Sequence, residues 1–350
     1  MRHILPIKVA LAGVGNSASV LVQGLRFYSG SERKGLWHPN VAGFRPGDIQ
    51  VVAAFDIDSR KVGLELSKAV FASPNVAKKY VSVPRGKVTV GSGISRGDVA
   101  PHLSGVRLER ASSDDVSKRL EESGADLLVN MISSGCGSST EEYARAALRA
   151  GCGFINCTPA LALKNNKLVA DFQRAKLPLV GDDLMSQFGG TIFHKGLLGL
   201  MVKRGIKVAK SYQLDVGGGS ETMNTMDEGI KMAKRGVKTS SVAEEVPYKF
   251  DTIAGTTDYV DYMGNDRTSY FWFGGSTFMD SGVTVDVYLR SSDGANAGNI
   301  LFDVIRATYR CMKVGKLGTV GEICAYGFKS PPRPMRYEDA FTKFAALYVR

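Results

Sequence analysis

The stretch VALAGVGNSASVLVQGL, Val9 to Leu25, constrains the fold more than any other. It opens as an apolar run suited to a buried strand, turns through Gly13-Val14-Gly15-Asn16, and continues with the apolar spacing of an amphipathic helix. A strand that passes through glycines straight into a helix lets turn amides and the helix N-terminus hold a pyrophosphate. The third glycine of G-x-G-x-x-G is absent, and Ala18 stands in its place. Asp56 closes the next strand, DIQVVAAFDID, where an acid would accept hydrogen bonds from the adenine ribose and disfavour the extra phosphate of NADP. It lies further from Gly13 than the usual ~20 residues. The polar, Gly/Pro-rich excursion Ser29–Gly47, read as a surface loop, accounts for the distance. NAD is the expected cofactor, with a tight turn that binds nothing as the alternative.

Alternation continues through the first half. RKVGLELSKAVF reads as a helix, residues 74–110 as irregular, ADLLVNMIS as a buried strand, and SSTEEYARAALRAG as a capped helix ending at glycine. CGFINCTP and LPLVGDD are further short strands. Near residue 205 the rhythm changes: KSYQLDVGG, YKFDTIAG, TSYFWFGGSTF and VTVDVYLRSS are strand-like, with one helix between them at Glu221–Arg235. AGNILFDVIRATYRCMKVG is helical again. The expected fold is α/β: a doubly wound Rossmann-type unit, residues 1–205 with 294–350, carrying an inserted, mostly antiparallel α+β unit at 206–293.

Composition narrows the function classes. With 44% hydrophobic and 23% charged residues, the chain is that of an ordinary globular protein. No apolar run approaches the ~20 residues of a membrane span, and the start MRHILPIKVALAG leaves no room for a signal peptide, so a cytoplasmic location is expected. The net charge of +11 is dispersed, and its densest group, KMAKRGVK, is short. That favours an anionic small substrate over nucleic acid. The five cysteines lack C-x-x-C spacing and the four histidines are unpaired, so neither zinc nor a disulfide framework is expected. Cys157 reads as a buried structural thiol and His194 as a packing or capping residue. Lys231, Lys234 and Lys238 share the spacing of a solvated helix face. Asp182 and Asp183 could cap a following helix.

Six segments, GVGNSASVLVQG, AFDIDSRKVG, AGCGFINCTPA, LPLVGDDLMSQFGGTIFHK, YQLDVGGG and FKSPP, occur in one order along nearly the whole chain. Together they resemble the myo-inositol-1-phosphate synthases, in particular the compact bacterial and archaeal branch, in which GVGNxAS is the family's own form of the turn. The resemblance implies an NAD-dependent isomerase, usually tetrameric. Such enzymes convert glucose 6-phosphate to inositol phosphate by oxidation, intramolecular aldol closure and reduction.

Carried over position by position, the resemblance places cofactor contacts at Gly13, Gly15, Asn16, Ala18, Ser19, Asp56, Ala125, Tyr143, Asp183, Ser186, Glu221, Lys234 and Asp303. Lys329 of FKSPP matches a catalytic lysine, and Arg267, Tyr288 and Asp293 fall on catalytic positions. No metal site is implied. Three family lysines are replaced, by Met185, Arg267 and Tyr288, and Glu221 stands for an aspartate. Arginine keeps the charge but carries protons poorly at neutral pH. A divergent enzyme on another sugar phosphate and a non-catalytic NAD-binding protein therefore stay open beside the leading reading.

Overall fold

The computed structural model describes residues 5–349; Met1–Ile4, part of the expected leaderless start, lie outside them. The strands run β1 (Ile7–Ala12), β2 (Ile49–Asp56), β3 (Val90–Ser92), β4 (Leu127–Asn130), β5 (Gly153–Asn156), β6 (Pro178–Val180), β7 (Lys207–Gly217), β8 (Asp251–Tyr259), β9 (Asp266–Ser276), β10 (Gly282–Ser292) and β11 (Gly318–Thr319). Strands β1 to β6 and β11 form a parallel sheet ordered β11-β6-β5-β4-β1-β2-β3. Its central strands are buried throughout β4 and β5, as apolar runs covered by helices on both faces must be. Chain order reverses between β1 and β4. A crevice opens at such a reversal, outside the carboxyl ends of the strands.

Strands β7 to β10 form a separate mixed sheet ordered β10-β9-β7-β8, in which β7 and β8 pair in parallel and the other neighbours antiparallel. Phe271 and Phe273 point inward and share a second core with Leu198 and Met201. Those two belong to the helix Gly190–Lys203, which the expected division left with the first unit.

Local differences from the sequence reading have identifiable causes. The helix expected over Arg60–Phe71 is reduced to Leu66–Ala69, because Gly63 turns at φ +84° and the N–H groups of Gly63 and Leu66 donate to the carbonyls of Val90 and Val88. That pairing brings β3 out of the stretch read as irregular. The helix expected at Glu221–Arg235 is two, Ser220–Asn224 and Glu228–Ala243, the second started by Asp227, whose carboxylate accepts from Ile230 N–H at 2.9 Å. The Ser29–Gly47 excursion is not a free loop. Leu36, His38 and Val41 are buried, and two residues of the helix Asp293–Val314 pin it, Asn299 to Gly35 O at 2.8 Å and Arg306 to His38 O at 3.0 Å. Among the described residues no helix is long and apolar enough to cross a membrane.

Candidate active site

The crevice follows from the chain reversal. Gly13 must be glycine: its φ is +88°, and a Cβ there would come within 2.7 Å of the Met131 carbonyl oxygen after β4. Gly15, by contrast, faces open space, with nothing within 4 Å of where a Cβ would sit. Asp56 stands beside the turn, one carboxylate oxygen accepting from Val14 N–H at 2.8 Å and the other from Asp58 N–H at 3.0 Å. Lys61, 4% exposed, donates to Val14 O at 3.0 Å and to Asn75 at 2.9 Å, clamping the turn from below. Asn16 holds a neighbouring loop, its side-chain oxygen accepting from Val76 and Ala77 N–H at 2.8 and 2.9 Å. Tyr143 lines the same pocket and accepts from Ile94 N–H at 2.8 Å. The result is a channel lined by the glycine turn, the start of the helix after it and a carboxylate, suited to a dinucleotide.

Past the turn the channel opens into a cavity between the two sheets. The long helices Asn16–Phe27, Gly190–Lys203 and Asp293–Val314 all begin at its wall, so three sets of N-terminal amides border it. Four cations line it, each touching a carboxylate: Lys329 on Asp183 at 2.6 Å, Lys238 on Asp215 at 2.6 Å, Lys234 on Glu221 at 2.8 Å and Arg267 on Asp293 at 3.0 Å. Asp183 Oδ2 and Asn265 Nδ2, both on the cavity wall, are buried without a protein partner. Unpaired polar atoms cost free energy when buried, so these two are groups a ligand would satisfy.

The Asp183 loop rests on a ladder of buried amides across the sheet ends. Asn130 donates to Asn156 at 3.0 Å, and Asn156 to Asp182 at 2.7 Å. Burial pushes the Asp182 carboxyl up to about 7. Neither acid caps the helix that follows, whose N-cap is Gly189. Asp182 accepts from Asn156 and Leu163, while Asp183 N–H donates to Thr158 O at 2.9 Å. Cys157 lines the cavity, but burial and then Asp183 push its thiol up, away from a thiolate.

Most of the expected residues meet here: Gly13, Gly15, Asn16, Asp56, Tyr143, Asp183, Ser186, Glu221, Lys234, Arg267, Asp293 and Lys329 line the channel or the cavity. Ala18 and Ser19 are fully buried in the helix behind the turn, Ser19 accepting from Gln23. Three placements are corrected. Ala125 precedes β4, at the opposite end of that strand from the crevice. Asp303 is 1% exposed within a closed cluster, bonded to His38, Arg306 and Tyr326 at 2.6, 2.7 and 2.6 Å. Tyr288 is 71% exposed, packed at a tilt against Tyr270 on the outer face of the second sheet, because strand alternation turns it away from Val287 and Leu289. Met185 is buried outside the cavity lining. Of the three replaced lysines, only Arg267 therefore faces the cavity.

Lys238 is the reverse case, a lysine read as solvated that is 5% exposed on the cavity wall. Its partner Asp215 went unremarked in the sequence. The signal was there: Ser211, Gln213 and Asp215 put polar side chains on the inward face of a buried strand, a pattern that calls for partners. Burial alone would raise the Asp215 carboxyl, but Lys238 and Arg267 outweigh it and hold it well below the usual carboxylate range. His194 packs between Phe271 and Phe273, as a core residue.

A profile of the myo-inositol-1-phosphate synthase family matches residues 189–294. The inositol-3-phosphate synthase of Corynebacterium glutamicum is 31% identical over 356 residues, with 98% of each chain covered. The chain belongs to the inositol-3-phosphate synthase family. The family member of Mycolicibacterium smegmatis is 32% identical over 346 residues, 95% of each chain. Among solved structures of similar fold, that of Ari2 matches with a TM-score of 0.79 at 30% identity, over 98% of this chain and 99% of the other. The stretch matching the inositol phosphate synthase profile holds Asp215, Glu221, Lys234, Lys238 and Arg267, so it spans much of the charged wall of the cavity.

Proposed function

We propose that the protein is an NAD-dependent isomerase that converts glucose 6-phosphate to 1D-myo-inositol 3-phosphate by oxidation, intramolecular aldol cyclisation and reduction. The observation that carries this reading is the ring of four ion pairs in a cavity continuous with the glycine turn. NAD, when bound, supplies the site that accepts and returns a hydride. The turn at Gly13–Gly15 and Asp56 would hold its pyrophosphate and adenine ribose; the open space at Gly15 fits that use. Ser186 and the amides at Gly190 and Thr191 offer neutral donors for a phosphate. Arg267 adds a fixed charge, and Lys234 and Lys238 are placed to stabilise oxygen charge that develops during ring closure. Lys329, held by Asp183 and by Leu184 O at 2.8 Å, is the group that moves protons.

The test is incubation with NAD and glucose 6-phosphate, with the product read as periodate-labile phosphate. Absence of product under conditions where NAD binds overturns the reading. Arg267, standing where the resemblance leads one to expect lysine, favours a second reading: the same chemistry on another sugar phosphate. A panel of phosphorylated sugars screened for transient NADH absorbance separates the two.

The protein is further proposed to be a cytoplasmic homotetramer. The outer face of the second sheet exposes Tyr288 and Ile253 beside the stacked pair Tyr212 and Trp272, which suits a second copy of the chain. Light scattering coupled to size exclusion reads the assembly directly, and a monomer would contradict this.

A further inference from the structure

The Asp215–Lys238 pair is built unlike the other three. Asp215, 1% exposed, receives Lys238 Nζ at 2.6 Å on one oxygen and Ser269 Oγ at 2.6 Å on the other, while Gln213 Nε2 lies 2.9 and 3.0 Å from the two. Gln213 is itself fixed: its side-chain oxygen is 3.3 Å from His194 Nδ1, and His194 Nε2 is 2.9 Å from Ser211 Oγ. Gly190 makes room for this arrangement, since a Cβ there would come within 2.1 Å of Gln213 Nε2 and 3.2 Å of Asp215 Oδ1. The carboxylate cannot swing to follow a mobile lysine.

Lys238, in contrast, donates to Asp215 alone among the described residues, which leaves N–H groups for a ligand in the cavity it lines. Lys329 has two protein acceptors, Asp183 and Leu184 O. The charges facing Lys238 are Arg267 from β9, Lys234 from its own helix, Lys329 from the segment after Gly327, and Asp215 from β7. Burial above all favours its neutral amine, Asp215 opposes this, and the three cations add to it.

We propose that Asp215 is a positioning residue that acts through Lys238: held by Ser269 and by the His194–Gln213 relay, it keeps Lys238 as a fixed ammonium that donates to a substrate oxygen and does not serve as a base. This rests on the reading of the cavity as a sugar-phosphate site. It divides the lysines by task, with Lys329 moving protons and Lys238 anchoring charge.

Two measurements test it. Cyanate carbamylates only neutral amines, so the rate at Lys238, followed by peptide mass spectrometry, reports its protonation without any substrate. In Asp215→Asn, which keeps the side-chain shape, the rate at pH 8 should rise about tenfold or more, each pKa unit lost being tenfold in neutral amine. The rate at Lys329 should change less than about twofold, and the alkaline limb of the kcat profile should move to lower pH while NAD affinity holds. An unchanged rate at Lys238 in the folded variant overturns the proposal. Lys238→Arg keeps a permanent cation and does not depend on that variant folding. It should retain kcat within about tenfold, where Lys238→Gln loses about a hundredfold. Equal inactivity of the two overturns the proposal. A carbamylation shift without turnover of glucose 6-phosphate would instead count against the proposed reaction.

Discussion

Lys329 and Asp183 are joined twice, through Nζ to Oδ1 at 2.6 Å and through Lys329 N–H to the Asp183 carbonyl at 2.8 Å. The second carboxylate oxygen of Asp183 stays buried and unpaired. A lysine held on a carboxylate that still has an acceptor to offer can exchange its partner for a substrate oxygen without leaving its place. Lys329→Ala is expected to lower kcat about a thousandfold, the range for loss of a positioned acid or base. NAD affinity should stay within about twofold. Steady-state kinetics and calorimetry on the same preparation check this; near-wild-type turnover would remove Lys329 from the chemistry.

The cofactor channel can be examined apart from catalysis. Asp56→Ala removes a charged acceptor and should weaken NAD about tenfold to a hundredfold, as for charged hydrogen bonds worth about 1.5–3 kcal/mol. Gly15→Val should abolish binding while the unfolding temperature stays close to wild type, because the added side chain enters open space in a residue of negative φ. Calorimetry with NAD reads the first effect and a thermal scan the second. A Gly15→Val protein that binds NAD normally would move the pyrophosphate elsewhere.

Tyr288 should be silent in catalysis. It projects from the outer face of the second sheet, 71% exposed, so Tyr288→Phe and Tyr288→Lys are expected to leave kcat and KM within about twofold. Tyr288→Lys should nonetheless weaken self-association, since it places a charge in an aromatic patch. A tenfold kinetic effect at micromolar protein, with assembly unchanged, would contradict the placement.

His194 links stability to pH. Burial holds its imidazole neutral and lowers its titration to about 4, against about 6.5 in an unfolded chain. Between those values the unfolded state binds the extra proton, so this contribution is full above pH 6.5 and is lost as pH falls toward 4. The stability gap between wild type and His194→Gln should therefore narrow from pH 7 to pH 4.5 in urea unfolding. A gap independent of pH would show that the imidazole is not held neutral.

Features encoded locally were legible in the sequence. The glycine turn announces itself because Gly13 needs a positive φ and the flanking runs have the periods of strand and helix. The second sheet was legible for the same reason, in alternating residues such as Tyr270, Phe271, Trp272 and Phe273. What could not be read depended on partners far along the chain. Nothing near Lys238 says that Asp215 lies 2.6 Å away, so helix spacing made it look solvated. Conversely, a matched position placed Tyr288 in the site, whereas its strand parity sends it outward. A matched position likewise placed Asp303 in the site, yet His38, Arg306 and Tyr326 consume it in holding the excursion at residues 29–47.

The four ion pairs of the cavity also bear on how an anion is captured. Four ammonium or guanidinium groups face four carboxylates at contact distance, so the walls nearly cancel, in a chain whose net charge is +11. A neutral dipolar lining exerts little pull at a distance, and a Debye length of about 8 Å at physiological salt removes much of the rest. On the proposed reading, recognition then works by counter-ion exchange: a phosphorylated ligand is admitted to the extent that its own oxygens take over contacts that Asp183, Glu221 and Asp293 give up. Lys238 meanwhile stays on Asp215 and offers its remaining N–H groups. Molecules with charge but the wrong shape gain nothing, because they leave the carboxylates and cations still satisfied by each other.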